Sequence, residues 1–304
     1  MHSFFEILKR EQIEFKQDFS LASISTFRVG GVAEVVAYPD TEEKLITLIG
    51  AAEEFGVPYK VIGNTSNLLF SDDGYRGLII ITKKLADISV CELDDTHKLL
   101  RAEAGAMLPA ISERAAKSSL SGFEFACGIP GTVGGAVFMN AGAHGGAISD
   151  VLVKSRAYDK CAQKIVTLDA ADHSFDYRHS IYRDREELVC LSAEFVLSHD
   201  DEEKIRERMF EYREKRRLTQ PTELPSAGSF FKRPEGYFAA KLIDDCGLKG
   251  ARVGDAEVSL KHAGFIVNLG NARAKDILEL SDIVKEKVKE ATGVSLETEV
   301  IFVE

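Results

Sequence analysis

The sequence predicts an α+β fold that is divided among two or three domains. First, 304 residues exceed what a single hydrophobic core usually holds. Second, the middle of the chain mixes strand-like and helix-like segments. Third, residues 200–217 form a strongly charged helical pattern that Pro221 ends, which places a domain boundary near residues 198–220.

The N-terminal part begins with a short amphipathic helix over residues 1–10. This segment lacks the basic region and long apolar run of a secretory signal. Residues 32–38, Val-Ala-Glu-Val-Val-Ala-Tyr, predict a strand. Asp40 is then expected to cap a helix, with Glu43 closing a capping box and apolar residues recurring at the helical period over 45–55.

The remaining elements follow from the same periodicities. We expect strands at residues 59–62, 78–82, 88–92, 99–104, 151–158, 164–168, 188–197 and 298–303, and helices at residues 108–117, 200–217, 237–246 and 273–291, the last ending at Gly293.

Charge and cysteine usage exclude several classes of protein. A net charge of -11 does not attract nucleic acid or an anionic membrane by bulk electrostatics. The apolar stretches are too short to span a bilayer, so we expect a cytoplasmic protein. The five cysteines are odd in number and lack CxxC spacing, which argues against a disulfide framework or a zinc site.

Three segments are rich in glycine and small polar residues: residues 26–31, 63–69 and 128–146. Glycine permits positive φ and a close approach of the backbone to a ligand, and successive N–H groups bind anions. A pyrophosphate held by the main chain is the functional interpretation, and tight turns between strands are the alternative. Neither the G-x-G-x-x-G nor the P-loop pattern occurs, so a dinucleotide must be held by a fold other than these two.

The ordered motifs resemble one family. These are residues 25–31, 63–69 and 128–146, followed by Tyr-Arg-His-Ser at 177–180 and by residues 228–234, 262–268 and 296–300. Together they resemble the UDP-N-acetylenolpyruvoylglucosamine reductase (MurB) family, and the chain length is similar to that of its shorter type II branch. The resemblance covers residues 23–303, with Phe230 standing where other members often carry valine.

The resemblance implies an FAD-binding domain of the PCMH type and a substrate-binding domain. Its two FAD subdomains would be residues 1–62 and 63–198, and the substrate-binding domain would be residues 199–304. It also implies that FAD is reduced by NADPH. His144 in the third segment could suggest a covalent link to the flavin, but the resemblance implies that FAD is bound non-covalently. The flavin then reduces UDP-N-acetylglucosamine enolpyruvate to UDP-N-acetylmuramate for peptidoglycan synthesis. A monomer or weak oligomer without a metal is expected.

The same resemblance assigns the catalytic residues. Ser229 would donate the proton, Arg178 would clamp the substrate carboxylate, and Glu299 would face the same carboxylate. Without the motifs, Ser229 would be a turn residue and the two charged side chains would be ordinary surface groups. FAD contacts are expected at Arg28, Gly30, Gly63, Asn64, Thr65, Ser66, Asn67, Leu68, Gly128, Pro130, Gly131, Thr132, Gly134, Gly135, Asn140, Gly142 and Gly145.

Substrate contacts are expected at a basic cluster and at a few polar residues. Lys215, Arg216, Arg217 and Lys232 would hold the UDP pyrophosphate; the alternative is a solvated helix end. Tyr177 and Asn268 would be further contacts.

Two other classes of function remain open at this stage. A flavin oxidase of small alcohols with the same fold would consume oxygen and would not need NADPH. A non-enzymatic nucleotide-binding protein would tolerate changes at Ser229, Arg178 and Glu299. The ordered motifs favour the reductase over both.

Overall fold

A computed structural model of the chain describes residues 2–94 and 96–304. The chain divides into two compact units, each assembled from several segments. Unit 1 consists of Met1–Lys16, Val36–Asn64 and Leu78–Lys215, and unit 2 consists of Gln17–Val35, Thr65–Gly77 and Arg216–Glu304. The boundaries predicted at residue 62, between the two FAD subdomains, and at residue 198, before the substrate-binding domain, stay predictions.

Helices and strands are mixed along the whole chain. The helices are α1 His2–Arg10, α2 Glu42–Glu54, α3 Leu108–Lys117, α4 Val133–Met139, α5 Ile181–Asp184, α6 Glu202–Thr219, α7 Ala239–Asp245 and α8 Ala274–Thr292. The strands are β1 Glu14–Ser20, β2 Val32–Tyr38, β3 Tyr59–Ile62, β4 Leu68–Phe70, β5 Tyr75–Ile81, β6 Ile88–Glu92, β7 His97–Glu103, β8 Leu120–Ser121, β9 Gly142–Ala143, β10 Gly146–Ala147, β11 Leu152–Asp159, β12 Lys164–Asp169, β13 Leu188–His199, β14 Arg252–Val253, β15 Ala256–Val258, β16 Ile266–Asn268 and β17 Ile301–Val303. The predicted α+β fold class is confirmed.

Unit 1 is built on an antiparallel sheet of order β12-β11-β13-β7-β6, with β8 added on β13. Its core is apolar and aromatic: the rings of Phe123 and Phe195 meet edge to face with centroids 5.0 Å apart, and both are fully buried. The segment between β12 and β13 carries Arg178. Residues 59–62 of β3 and 78–81 of β5 form a parallel pair in the same unit, as part of a sheet of order β1-β2-β5-β3.

Two helix starts differ from the sequence prediction. Thr41, and not Asp40, is the N-cap of α2, and its hydroxyl accepts a hydrogen bond from Lys44 N at 3.2 Å. Asp40 pairs instead with the Lys44 ammonium at 2.7 Å, so the predicted N-cap is wrong by one residue. With Thr41 as the N-cap, the third helical residue is Lys44, and Glu43 does not close the predicted capping box. α6 begins at Glu202, two residues after the predicted start.

The first part of α6 packs within unit 1. Ile205 and Met209 lie in one buried cluster with Ala116 and Cys127. Arg208 donates to Glu124 at 2.7 Å and to Asp200 at 2.6 Å. The Glu124 side chain is nearly buried, so removing Arg208 alone would leave this carboxylate without its cationic partner and largely out of water.

Unit 2 is built around α8, the sheet β14-β15-β16 and the parallel pair β4–β17. Asp72 holds the start of α8, because its carboxylate accepts from Ala274 N at 2.8 Å and from Lys275 N at 3.1 Å. Gly293 ends this helix as predicted, with φ 75°.

The five cysteines are free thiols, as expected. Cys127 is buried, Cys91 and Cys161 are exposed, and Cys190 and Cys246 are partly buried. Within residues 2–94 and 96–304, no helix is both long and apolar enough to cross a membrane.

Candidate active site

Two of the three glycine-rich segments meet in unit 1. Asn64 donates its side-chain amide to the carbonyl of Pro130 at 2.6 Å. A Cβ on Gly63 would lie 2.1 Å from the Thr132 hydroxyl, so only glycine fits beside that side chain. Thr132 is buried and pairs in a β-bridge with Met107. The predicted contacts Gly63, Asn64, Pro130 and Thr132 therefore form one local surface.

The glycines of the third segment serve two different needs. Gly134 and Gly142 allow close packing, because a Cβ would lie 3.2 Å from Ala104 in the first case and 2.6 Å from the Gly146 carbonyl in the second. Gly135 and Gly145 border open space: a Cβ on Gly135 would meet one atom only, 3.7 Å away, and one on Gly145 would meet nothing within 4 Å. Gly145 has φ 89°, so a side chain there would be strained despite the free space. Gly128 and Gly131 belong to the same segment.

The predicted FAD contacts of unit 2 lie on a second local surface. The Thr65 hydroxyl accepts from Thr26 N at 3.2 Å and donates to the carbonyl of Ile24 at 3.0 Å. Gly30 packs so tightly that a Cβ would lie 2.7 Å from Phe70 Cβ. Arg28 is exposed.

Residues 66–68 continue from Thr65 towards the C-terminal strand. Asn67 donates its side-chain amide to the Glu299 carbonyl at 3.1 Å, and its own carbonyl accepts from Ile301 N at 3.0 Å. Leu68 begins β4 and pairs with Ile301 on β17, while Ser66 is partly buried. This segment is thereby tied to the backbone of Glu299.

Ser229 and Glu299 lie on adjacent extended segments of unit 2. Ser229 pairs with Phe265 in a β-bridge, and Phe230 N donates to the Gly264 carbonyl at 2.8 Å. On the other side, Glu299 N donates to the Phe230 carbonyl at 2.8 Å. Both predicted catalytic residues are partly buried, and the Glu299 Oε2 atom is screened from solvent. Phe230 fills the core between them at 1% exposure.

Arg178 lies in a tight turn of unit 1. Asp176 and His179 pair across this turn in an antiparallel bridge. The Arg178 guanidinium lies over the ring of Tyr177, 4.9 Å from its centroid. The Arg178 carbonyl accepts from Arg183 Nη1 at 2.9 Å. The structure thus describes Arg178 in unit 1, and Ser229 and Glu299 in unit 2.

Asn140 holds the Arg178 turn through its amide. Its Nδ2 donates to the Asp176 carbonyl at 3.1 Å, while its Oδ1 accepts from Ser149 N at 3.0 Å. The Ser180 hydroxyl adds a bond to the Phe138 carbonyl at 2.9 Å. The end of α4 is therefore bonded to the turn on both sides of Arg178. The side-chain amide of Asn140, which was predicted to contact FAD, makes its hydrogen bonds within the protein.

Of the predicted substrate contacts, Asn268 and Lys232 have partners inside unit 2. Asn268 is 1% exposed; its amide donates to the Phe27 carbonyl at 2.9 Å and accepts from Gly270 N at 2.7 Å. Lys232 pairs with Glu297 at 3.1 Å. Tyr177, Lys215 and Arg217 are exposed.

His144 makes an aromatic contact that the sequence did not indicate. Its ring stacks on that of Tyr212 with centroids 4.3 Å apart and planes 5° from parallel. Both residues line a cavity of about 190 Å³ together with Phe125, Gly146 and Arg208. The pairing of a loop residue with a residue of α6 leaves no periodic signal in a sequence.

The residues present fit an FAD. Gly63 has no room for a Cβ beside Thr132, which brings the two backbone segments close together. Gly135 and Gly145 have free space around them, which leaves their main chain accessible to a ligand. Thr65, a β-branched residue, has φ 60°, and such backbone strain gathers at ligand-binding sites. These features are those of a protein that binds a nucleotide cofactor through its main chain.

Family models agree with this class and make it specific. A model described as FAD binding domain matches residues 33–169, and one described as UDP-N-acetylenolpyruvoylglucosamine reductase, C-terminal domain, matches residues 220–303. The chain belongs to the UDP-N-acetylenolpyruvoylglucosamine reductase family, which confirms the resemblance seen in the sequence.

Individual relatives extend over nearly the whole chain. The UDP-N-acetylenolpyruvoylglucosamine reductase of Clostridium novyi (strain NT) is 45% identical over 297 residues, covering 98% of this chain and 94% of that protein. The one from Agathobacter rectalis is 49% identical and covers 95% of this chain and 94% of that protein. The crystal structure of the enzyme (MurB) from Thermus caldophilus matches with a TM-score of 0.78 at 35% identity, over 96% of this chain and 99% of that one.

Proposed function

We propose that this chain reduces UDP-N-acetylglucosamine enolpyruvate to UDP-N-acetylmuramate with NADPH as the hydride donor, the reaction that supplies peptidoglycan synthesis. The observation that carries the proposal is the family relationship over 98% of the chain. When bound, FAD supplies the hydride transfer. The residues of the chain bind and orient the substrate, balance its charge and deliver the proton.

Ser229 is proposed as the proton donor. A serine hydroxyl is a weak acid, but it can protonate a strongly basic carbanion when it is held in place. The β-bridge to Phe265 and the backbone bonds of Phe230 on both sides support such placement. The proton goes to the carbon adjacent to the substrate carboxylate, and the hydride goes to the terminal carbon.

Arg178 and Glu299 are proposed to act on the substrate carboxylate. The planar fork of Arg178 donates two parallel hydrogen bonds to a carboxylate and balances the charge of an enolate. Two carboxylates repel each other at short range. Glu299 is therefore proposed to act as a neutral carboxyl group or through a bound cation.

The remaining predicted contacts complete the proposal. The FAD contacts given from the sequence hold the cofactor without a covalent bond. Lys215, Arg217 and Lys232 bind the UDP pyrophosphate, and Tyr177 and Asn268 are further contacts with the substrate. A location in the cytoplasm and a monomeric or weakly oligomeric state belong to the same proposal. The exposure of Lys215 and Arg217 supports a role in binding an anionic ligand.

A single-turnover experiment tests the reaction class. Purified protein with FAD is reduced by NADPH without oxygen and then mixed with enolpyruvyl-UDP-N-acetylglucosamine or, in parallel, exposed to oxygen alone. The proposal predicts rapid reoxidation of the flavin by the enolpyruvyl sugar and slow reoxidation by oxygen. Turnover of short alcohols with oxygen and without NADPH would instead support an oxidase.

A further inference from the structure

One buried hydroxyl joins the two flanks of the Arg178 turn. Ser155 Oγ, on β11, lies 2.9 Å from His173 Nε2 and 2.7 Å from the Tyr182 hydroxyl. His173 precedes Arg178 in the chain and Tyr182 follows it. The exposures of Ser155, His173 and Tyr182 are 1%, 0% and 4%, so water does not compete for these bonds.

Chemistry fixes the direction of the hydrogen bonds in this cluster. His173 Nδ1 lies 2.8 Å from the Asp169 carbonyl, which can only accept, so Nδ1 carries the proton. Burial lowers the pKa of His173 and keeps the ring neutral, which leaves Nε2 as an acceptor. Ser155 therefore donates to His173, and Tyr182 donates to Ser155.

The resulting chain of bonds stabilises a turn that the sequence does not favour locally. Arg178 has φ 56°, a left-handed backbone conformation that is uncommon for a residue with a long side chain. Such a conformation persists when the surrounding structure determines it. The bonds from Asn140 and Ser180 hold the side of the turn nearest α4, and the Ser155 cluster holds both flanks from the sheet.

We propose that Ser155, His173 and Tyr182 are positioning residues for Arg178 in the reduction of the enolpyruvyl substrate. They act through the Arg178 turn and touch neither substrate nor cofactor. This inference rests on the proposed role of Arg178 in binding the substrate carboxylate. Because reaction rates depend steeply on the placement of charged groups, a small displacement of this turn slows the step in which Arg178 acts.

The test compares two buried serines in the full-length, FAD-loaded enzyme. Ser155→Ala removes the shared hydroxyl. Ser192→Ala is the matched control, because Ser192 on β13 is also 1% exposed and its hydroxyl has no hydrogen-bond partner within the described part of the chain. We expect Ser155→Ala to slow flavin reoxidation by the enolpyruvyl sugar about 10- to 10²-fold. The rate of flavin reduction by NADPH should stay near that of the parent, and Ser192→Ala should resemble the parent in both steps.

A double-mutant cycle with Arg178→Ala separates positioning from general damage. If Ser155 acts through Arg178, Ser155→Ala has little further effect on reoxidation in the Arg178→Ala background. Equal effects in both backgrounds, or equal slowing of the NADPH step, would overturn the inference. Tyr182→Phe, which retains the ring, takes the place of Ser155→Ala if that variant does not fold; parent-like reoxidation would again overturn the inference.

The cycle also distinguishes the proposed role of Arg178 from the proposed positioning role of Ser155, His173 and Tyr182. Parent-like reoxidation in Arg178→Ala would show that the proposed role of Arg178 is wrong, and the positioning role would fall with it. Slow reoxidation in Arg178→Ala together with parent-like rates in Ser155→Ala and Tyr182→Phe would refute the positioning role alone.

Discussion

At the scale of the residue, four predicted site residues other than glycine have a left-handed backbone conformation: Arg28, Thr65, Asn140 and Arg178. His144, in the third glycine-rich segment, has the same conformation. Such positions are uncommon, and strained backbone gathers at functional sites. Periodicity does not reveal them, because it reports only which face of an element is buried. The motifs identified these residues, whereas the Ser155, His173 and Tyr182 cluster has no motif and was found only in three dimensions.

Ser229→Ala tests the proposed proton donor. General acid catalysis contributes about 10²- to 10⁴-fold, so reoxidation of the flavin by the enolpyruvyl sugar should slow by that order. Flavin reduction by NADPH does not need this proton and should keep the parent rate. Stopped-flow absorbance at saturating substrate measures both steps.

A buried serine elsewhere in unit 2 provides the control for this variant. Ser281 on α8 is 1% exposed, and its hydroxyl has no hydrogen-bond partner in the described residues. Ser281→Ala should leave both steps unchanged. If Ser229→Ala reoxidises within a few-fold of the parent, Ser229 is not the donor.

At the scale of the element, the long periodic segments were predicted well and the short irregular ones were not. The 3.6-residue period located α3 and α8, and β-branched runs located β2 and β6. The three-residue strands β4 and β16 carry too few residues for a period to show. The glycine-rich loops were recognised from composition, but the contact of Gly63 with Thr132 depends on residues far apart in the sequence.

Gly63→Ala tests the loop surface of unit 1. A methyl group at this position would overlap the Thr132 hydroxyl, so the two segments must separate. We expect weaker FAD binding, measured by fluorescence titration of the apoprotein. Gly50→Ala is the control: Gly50 lies within α2 with nothing within 4 Å of a Cβ, so alanine should raise stability by about 0.5–1 kcal/mol. Unchanged FAD affinity in Gly63→Ala would contradict the assignment of this surface.

His173 makes stability depend on pH. Burial lowers its pKa in the folded state, so the unfolded chain binds the proton more readily. Its contribution to stability is therefore present above the unfolded pKa of about 6.5 and is lost as the pH falls from there towards the folded pKa. His173→Gln, which keeps an acceptor for Ser155 but does not titrate, should weaken the fall in stability over this range in urea titrations. An identical fall in parent and variant would show that His173 is not the group responsible.

At the scale of the whole molecule, the fold class and the family could be predicted, but the course of the chain through its two units could not. Residues 17–35 and 65–77 belong to the same unit as the C-terminal segment. The parallel pairing of Leu68 with Ile301 illustrates the cause, because such a partner lies more than two hundred residues away. Hydrophobic patterns specify the faces of strands and carry no information on distant partners.

The most direct test of the central claim is the identity of the product. Purified enzyme is incubated with NADPH and enolpyruvyl-UDP-N-acetylglucosamine, and the UDP-sugar is analysed by mass spectrometry while NADPH oxidation is followed by absorbance. We expect a product heavier than the substrate by two hydrogen atoms, identical to UDP-N-acetylmuramate and formed in equal amount to the NADPH consumed. NADPH oxidation that proceeds equally without the enolpyruvyl sugar, or a UDP-sugar recovered with unchanged mass from FAD-loaded enzyme, would contradict the proposed reaction.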